Sequence, residues 1–490
     1  MQPPITLLRP ASHRPRGWSV AAGFFGALLL AGCGRSPEAA VTTSSPEALL
    51  LYKEGVSAMQ RFYYAEAESL MERALELDST FAMARARHAI LHLERKDDAK
   101  VREEMERAVR DGAAATDREQ MYLRAWNHMV NFRSEEEARV LDSLFAKYPR
   151  ESEAATARGL IYEKEQNLEA AIKMYEQALK ADTSCARAAM LLGYAHSTAG
   201  NHERAIAYMK RYIGLDPASA DPRASLADLL LRVGDYDGAL DQYAASLEVK
   251  PDYWYAMQQI GTIRLAQGRL REAEEMYLQG LRELAGGDDT QEANILAVQG
   301  LIEAARGRNE AAIELYRRAF ALDSLNQTAA YGIARALIEL GKFEQAEEVI
   351  GTIGSELVRR GMGRSAAMVG YHLMRARLHH RQGDDRAALA SCDSAMQFSN
   401  QLSRQAVHLS MAEIHLAQGS LEDALGDCDA ALAVNRNYPH ALLVLTKVYR
   451  ASGDKVMTGE VGGRLLEFWK DADPDFKLLG ELKEALRKPV

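Results

Sequence analysis

The amino-acid sequence predicts an all-α fold in which paired helices stack into a solenoid, and three observations support this. Glycines recur at intervals of 34 to 42 residues from Gly200 to Gly453. Small residues keep step with them, as at Gly159, Ala171 and Ala178, a spacing typical of two helices that touch through small side chains. Hydrophobic residues make up 47% of the 490 residues but aromatic residues only 7%. Small apolar side chains of this kind suit closely packed helix pairs.

The N-terminal residues 1–32 have the pattern of a secretion signal. They contain three arginines and no acidic residue, and the arginines are followed by an uncharged run at 20–30. Eleven helical residues, at about 1.5 Å each, are too short to cross about 30 Å of hydrocarbon. The run is therefore predicted to be the core of a signal rather than a permanent membrane span.

The signal ends in Leu30-Ala31-Gly32-Cys33, which resembles the lipobox of bacterial lipoproteins. The resemblance implies that Cys33 is diacylated and becomes the mature N-terminus. Its acyl chains would anchor the protein on the periplasmic side of the inner or outer membrane of a bacterial cell envelope. Residues 33–46, rich in Ser, Thr, Ala and Pro, are then expected to form a flexible tether. Two alternatives are an ordinary signal peptide with a chance cysteine and a cytosolic adaptor whose N-terminus is misread.

Over residues 48–470 the small residues and turn glycines resemble the tetratricopeptide repeat, a helix-turn-helix unit of about 34 residues. The resemblance implies a right-handed α-solenoid of about eleven or twelve units. In order, we expect N-terminal units at 47–150 that are degenerate from residue 82, central units at 151–353, an insertion loop at 354–368, C-terminal units at 369–470 and a capping helix at 471–490. The capping helix would cover the last apolar face of the stack.

The repeats leave no segment for a catalytic domain. The sequence contains no Walker loop and no HExxH, CxxC or GxSxG motif. We therefore expect no enzymatic activity, no cofactor and no small-molecule substrate.

Charge argues against nucleic acid as a partner, because 60 Lys and Arg residues stand against 69 Asp and Glu residues, a net charge of -9. Removal of residues 1–32 takes away three arginines and leaves a net charge of -12.

A duplicated set of histidines and cysteines suggests one alternative function. The set consists of His372, His379 and Cys392, repeated 36 residues later as His408, His415 and Cys428. His372 and His379 lie about 10.5 Å apart along a helix, whereas the ligands of a zinc ion lie about 2.0–2.3 Å from it. Packing of a duplicated repeat, with the cysteines as buried thiols, is thus favoured. A metal-binding protein or metal-dependent enzyme is the alternative.

The resemblance also implies that the first helix of each unit lines a concave groove that binds partners. By register, the predicted groove residues are Tyr194, Tyr255, Tyr331, Arg335, Arg377, His380, Arg381, Lys447 and Arg450, with Glu153, Glu163 and Asp228 in corresponding positions towards the N-terminus. The basic C-terminal part favours proteins or peptides with acidic segments as partners. A solvated helix face without a ligand is the alternative. The sequence therefore predicts a non-enzymatic, membrane-anchored scaffold or assembly factor of the bacterial envelope.

Overall fold

The computed structural model describes residues 41–61, 63–95, 98–283, 289–363 and 365–487, and this part of the chain is built from helices without strands. The predicted all-α fold is therefore confirmed. The α-helices of the described residues are α1 (Pro46–Gln60), α2 (Tyr64–Leu77), α3 (Ala82–Leu91), α4 (Asp98–Asp111), α5 (Asp117–Val130), α6 (Ser134–Lys147), α7 (Ser152–Lys164), α8 (Leu168–Ala181), α9 (Ala186–Thr198), α10 (His202–Leu215), α11 (Asp221–Val233), α12 (Tyr236–Val249), α13 (Trp254–Ala266), α14 (Leu270–Glu283), α15 (Asp289–Ala305), α16 (Asn309–Leu322), α17 (Gln327–Glu339), α18 (Phe343–Arg359), α19 (Met368–Arg381), α20 (Asp385–Phe398), α21 (Gln401–Gln418), α22 (Leu421–Leu432), α23 (Pro439–Ala451), α24 (Lys455–Phe468) and α25 (Lys477–Arg487). Two short 3-10 helices, His92–Arg95 and Gly112–Ala114, follow α3 and α4.

Helices α1 to α24 form consecutive pairs, and α25 follows the last pair. Most turns inside the pairs end the first helix with a glycine in the left-handed region, such as Gly234 with φ of 86°. A residue without a Cβ adopts this conformation at little cost. In two earlier pairs the same position is taken by Phe132 (φ 57°) and Gln166 (φ 59°). The helix pair thus persists where the glycine series of the sequence does not reach.

Successive helices approach each other through small residues, as the sequence predicts. The ring of Tyr316 on α16 lies between Gly300 on α15 and Gly332 on α17, and only 1% of the Tyr316 side chain is exposed. A Cβ atom at Gly332 would overlap that ring, and one at Gly300 would lie 2.7 Å from it. Each glycine therefore makes room for an aromatic side chain from the neighbouring helix, which allows the helices to pack closely.

Replacing Gly332 with alanine is expected to lower the free energy of unfolding by about 1–3 kcal/mol, because the added methyl group overpacks the Tyr316 site. Gly351, on the exposed side of α18, has nothing within 4 Å of a Cβ atom and is the matched control. There the same substitution is expected to stabilise the protein by about 0.5–1 kcal/mol through helix propensity. Denaturant unfolding followed by circular dichroism checks both values, and stabilisation by Gly332→Ala would contradict the packing argument.

The described residues cluster into two compact units. The N-terminal unit comprises residues 41–260 with 433–438, and the C-terminal unit comprises 261–432 with 439–487. In the C-terminal unit the predicted insertion loop at 354–368 is partly helical, since α18 runs to Arg359. Its last turns bury Ile353 and Leu357 against Met368, so the apolar period of the helix continues into the insertion and extends it.

The N-terminal signal and Cys33 lie outside the described residues. The last residues of the predicted tether, Thr42 to Ser44, are held by side chains of the N-terminal unit. Thr42 donates from its backbone N to Glu119 Oε1 and from its hydroxyl to Oε2, both at 2.7 Å. Thr43 and Ser44 donate to Asp78 at 2.6 to 2.9 Å. The described chain therefore enters α1 from a fixed position.

Within the described part of the chain, no helix has both the length and the apolar composition needed to span a bilayer.

Candidate partner-binding groove

The first helices of consecutive pairs form one continuous wall within each unit. They contact each other along the stack, as α15, α17, α19, α21 and α23 do in the C-terminal unit. All the predicted groove residues lie on such first helices. Tyr194 and Tyr255 belong to the N-terminal unit, whereas the remaining predicted tyrosine and the basic residues belong to the C-terminal unit.

In the C-terminal unit, three arginines surround one carboxylate. Arg377 on α19 lies 3.5 Å from Glu339 at the end of α17. Burial opposes ionisation of Glu339, but the charges of Lys477, Arg377 and Arg381 outweigh it and hold the pKa of this carboxyl below its usual value. The side chains of Arg335 and Arg381 are exposed. The structure thus brings Arg335, Arg377 and Arg381 together, as the register of the repeats predicts.

Two other predicted groove residues are used inside the protein. Lys447 on α23 donates to Glu481 on α25 at 2.6 Å. Arg450 donates to the backbone oxygen of Glu484 at 3.3 Å. Because α25 packs beside α23 as a further first helix would, it covers this end of the wall. Lys447 and Arg450 therefore hold the C-terminal helix, while the exposed arginines of α17 and α19 lie further along the same wall.

Tyr331 and His380 are also engaged locally. Tyr331 packs against the apolar cluster of Ile353, Leu357 and Met368, and burial raises its pKa to about 12. The Nδ1 atom of His380 lies 2.6 Å from Asp385. These contacts connect α17 with α18 and α19, and α19 with α20.

The C-terminal segment before α25 crosses to the turns of earlier helix pairs in the same unit. The indole Nε1 of Trp469 donates to the backbone oxygen of Ala266 at 2.8 Å. The backbone N of Asp473 donates to Gly268 O at 2.9 Å. The Asp475 carboxylate lies 3.1 Å from Arg308. This route carries Lys477, the first residue of α25, to within 3.3 Å of Glu339.

Glu339 and the Lys477 that approaches it were not among the groove residues predicted from the sequence. Glu339 is the last residue of its helix, and Lys477 follows the repeats in a segment with no repeat register. The pair is separated by 138 residues along the chain. A periodic pattern predicts which residues are neighbours within one repeat or between successive repeats. It does not predict a contact between residues so far apart in the sequence.

In the N-terminal unit, Tyr194 and Tyr255 bridge neighbouring first helices. Tyr194 donates to the Ser225 hydroxyl at 3.0 Å. Tyr255 donates to both oxygens of Asp228, at 3.0 and 3.1 Å, and Tyr243 also donates to this carboxylate. Burial raises the pKa of Asp228 to about 7 in spite of these donors. The tyrosine hydroxyls are thus satisfied within the protein.

Other acidic side chains in the N-terminal unit show the same effect of burial. Burial raises the pKa of Glu163 to about 7 and that of Glu137 to about 7. Asp221 accepts from Tyr212 at 3.0 Å and from Tyr253 at 3.2 Å, and burial raises its pKa to about 6. Glu137 lies on the second helix α6, whereas Glu163 and Asp221 lie on first helices. The N-terminal wall thus has tyrosines and shielded carboxyls, in contrast to the exposed arginines of the C-terminal wall.

Glu153, also predicted for this wall, compensates the positive charge of buried arginines. The Nη2 atom of Arg87 donates to both Glu153 oxygens, at 2.8 and 2.9 Å, and the guanidinium lies 4.5 Å from the centre of the Trp126 ring. Arg187 is also buried, and Glu153 acts on it electrostatically. Burial nevertheless lowers the pKa of Arg187 to about 10.

The duplicated histidines and cysteines do not share one site, and those described below each make a separate local contact. The Nδ1 atoms of His408 and His415 each lie 2.9 Å from a different oxygen of Asp427. His372 instead stacks on Phe398, with ring centres 5.6 Å apart. Cys392 and Cys428 are free thiols in the core, and burial raises the pKa of Cys392 to about 11 and that of Cys428 to about 12. These contacts support the packing interpretation over the metal-binding alternative.

Comparison with protein families gives matches over the central repeats. Two models, both described as tetratricopeptide repeat, match residues 156–220 and residues 196–260 with 303–358. Among curated proteins, mouse (Mus musculus) Superkiller complex protein 3 is 31% identical over 99 residues, which is 20% of this chain and 6% of the mouse protein. The chain thus matches a small part of that relative's length.

Several solved structures are similar to this chain at low identity. MamA is 23% identical with a TM-score of 0.30, over 32% of this chain and 93% of MamA. PilW, a type IV pilus biogenesis factor, is 16% identical with a TM-score of 0.37, over 43% of this chain and 96% of PilW. The human IFIT1 dimer with m7Gppp-AAAA is 15% identical with a TM-score of 0.44, over 91% of this chain and 99% of IFIT1. Such likenesses extend to helical architecture and carry nothing about ligands or partners.

Proposed function

Because this chain is a tetratricopeptide repeat protein, and such repeats serve as scaffolds for protein interactions, we propose that its C-terminal groove binds acidic protein segments. We further propose that the protein is a non-enzymatic, lipid-anchored scaffold of the bacterial cell envelope. Each stacked pair supplies one strip of an extended surface, which suits a peptide better than a small substrate. The groove and the anchor can each be removed without the other.

The observation that carries the groove proposal is the excess of positive charge around Glu339. Three arginines and Lys477 surround this one carboxylate. Burial and the positive charges of Arg335 and Arg377 also lower the pKa of the nearby His440. An acidic segment would neutralise charges that the protein leaves uncompensated, and arginine pairs with carboxylates through two parallel hydrogen bonds.

The groove is tested by reversing the charges of the exposed pair Arg335→Glu and Arg381→Glu. A fluorescein-labelled ten-residue peptide of glutamate is the ligand, and fluorescence anisotropy measures its affinity at low and high salt. We expect the double variant to bind about tenfold more weakly or worse, equivalent to about 1.4 kcal/mol. Binding to the unchanged protein should weaken as salt rises, because exposed charges are screened.

The matched control reverses two exposed arginines on second helices, Arg317→Glu and Arg386→Glu. It changes the net charge of the protein by the same amount but lies away from the wall of first helices. This control should keep the affinity of the unchanged protein within about twofold, since distant exposed charges are largely screened. Equal loss in both double variants would reject the groove and leave a nonspecific charge effect.

The anchor is tested by Cys33→Ser in the full-length chain expressed in a Gram-negative bacterium. Acylation at Cys33 should place the unchanged protein in the membrane fraction, since stable anchoring takes two acyl chains. The variant should not be acylated, so it should either move to the soluble fraction or keep its uncleaved signal peptide. Cys392→Ser, which alters a buried thiol, should behave as the unchanged protein does. Intact mass of the N-terminal fragment supplies the direct readout, and an unmodified Cys33 thiol would refute the anchor.

A further inference from the structure

Two histidines at the end of α3 place their rings against each other in the interior of the N-terminal unit. His88 and His92 are one helical turn apart, and their side chains are 6% and 5% exposed. Their Nε2 atoms are 3.2 Å apart, and the rings meet edge to face. Two nitrogens at about 2.0–2.1 Å from a tetrahedral zinc ion are separated by about 3.3 Å. The two Nε2 atoms therefore already have the spacing of zinc ligands.

The neighbouring helix α2 supplies carboxylates to the same place. Among the described residues, Glu68, His88 and His92 each offer one ligand atom, and these atoms lie within 4.8 Å of one another. Glu72, one turn after Glu68, has an oxygen 3.7 Å from His88 Nε2. Both glutamates have flexible side chains, so a change of about 1.5 Å would bring an oxygen from 4.8 Å to the ligand spacing of about 3.3 Å.

A third helix holds His88 in the orientation that metal binding requires. Glu104 on α4 lies 2.8 Å from His88 Nδ1. A carboxylate beside Nδ1 accepts a hydrogen bond from the Nδ1–H group and so leaves the Nε2 lone pair to face the metal, an arrangement that accompanies most histidine ligands. Glu104 would thus act as a positioning residue rather than a ligand.

The charges around the histidines suit a divalent cation. Three carboxylates, Glu68, Glu72 and Glu104, lie beside them, and Lys100 acts electrostatically on both His92 and Glu104. Arg85 also acts electrostatically on Glu104, and the three carboxylates still outnumber these two cations. Imidazole nitrogens with one or two carboxylate oxygens favour zinc over magnesium or calcium, which prefer oxygen ligands.

We propose that His88, His92 and Glu68, with Glu72 as the fourth ligand or beside a bound water, form a zinc site that joins α2, α3 and α4. The site is independent of the groove, because it lies in the other unit and serves to clamp the first two helix pairs. It strengthens the stretch in which the repeat pattern of the sequence is weakest, since α3 and α4 lie in the degenerate segment that begins at residue 82. Metal binding to ligands from α2 and from the end of α3, with Glu104 of α4 positioning one of them, couples directly to folding.

The test uses the purified full-length protein, stripped with a chelator and titrated with zinc chloride or cobalt chloride. Elemental analysis gives the stoichiometry, and visible absorption of Co2+ reports tetrahedral coordination. We expect one metal ion per chain and a higher melting temperature with zinc. The pair His88→Ala and His92→Ala should lose binding, whereas the control pair His408→Ala and His415→Ala should keep it. Glu104→Gln should weaken binding by about 10–100-fold without changing the stoichiometry.

Absence of stoichiometric zinc and cobalt binding by the unchanged protein would overturn the proposal. Equal binding by the His88 and His92 double variant would overturn it as well. Since that variant removes two buried rings, its helical content is measured first. If it fails to fold, Glu68→Gln with Glu72→Gln decides instead, because these side chains are less buried. Loss of the Co2+ spectrum in the folded glutamine variant supports the site, and an unchanged spectrum rejects it.

Discussion

Replacing Trp469 with alanine is expected to lower the free energy of unfolding of the C-terminal unit by about 3–5 kcal/mol. The side chain is 1% exposed and packs edge to face on Phe476, with ring centres 5.3 Å apart. Its loss would leave a cavity in the cluster that joins α13 and α14 to the last helices. It would also leave the backbone oxygen of Ala266 without the indole donor.

Hydrogen exchange followed by mass spectrometry checks this expectation and locates the effect. Amides of α25 and of the turn at Gly268 should lose protection first, because Trp469 connects these two segments. Trp469→Phe is the matched control, since it keeps an aromatic ring in the core and removes the hydrogen bond, at a cost of about 1–3 kcal/mol. If Trp469→Ala unfolded at the same denaturant concentration as the unchanged protein, the proposed attachment of the C-terminal segment would be wrong.

Changing Glu153 to glutamine is expected to destabilise the N-terminal unit by about 3–5 kcal/mol, as removal of one partner from a buried ion pair does. The substitution keeps the shape of the side chain but removes its charge. Arg87, whose side chain is 6% exposed, would lose its carboxylate acceptors. Arg187 would lose electrostatic compensation as well, and its Nε has no hydrogen-bond partner within the described residues.

Denaturant unfolding monitored by circular dichroism measures the effect, and an exposed ion pair supplies the control. Arg139 and Glu135 lie 3.2 Å apart with side chains 73% and 86% exposed. Glu135→Gln should change the free energy of unfolding by about 0.5 kcal/mol or less, because solvent screens this pair. Equal effects of the two glutamine substitutions would show that the Glu153 charge is not needed for stability.

Repeat spacing predicted the helices well because it reflects local physics. A glycine such as Gly234 has to end a helix in the left-handed region, and a small residue such as Gly332 has to admit Tyr316. Both demands recur in most pairs, so they leave a period in the sequence. Phe132 meets the first demand without a glycine, which is one reason why the repeats between 82 and 150 look degenerate although their helices are present.

The groove was predicted in part. Register placed Arg335, Arg377 and Arg381 on neighbouring first helices, where the structure also has them. Register says nothing of the partners that each side chain finds, so it did not distinguish these arginines from Lys447, which holds Glu481. Tyr255 likewise lies at its predicted position, but its hydroxyl is bound to Asp228.

The amino-acid sequence alone was sufficient to predict an all-helical repeat protein. Turns, helix faces and close contacts between successive helices depend on residues fewer than about forty positions apart, so they leave a pattern in the sequence. Contacts between distant segments were decided by folding alone. Trp469 meets Ala266 and Lys477 meets Glu339 only after the helices have stacked. Such contacts depend on the rotation accumulated over several repeats, and a small change in each repeat would move their partners apart.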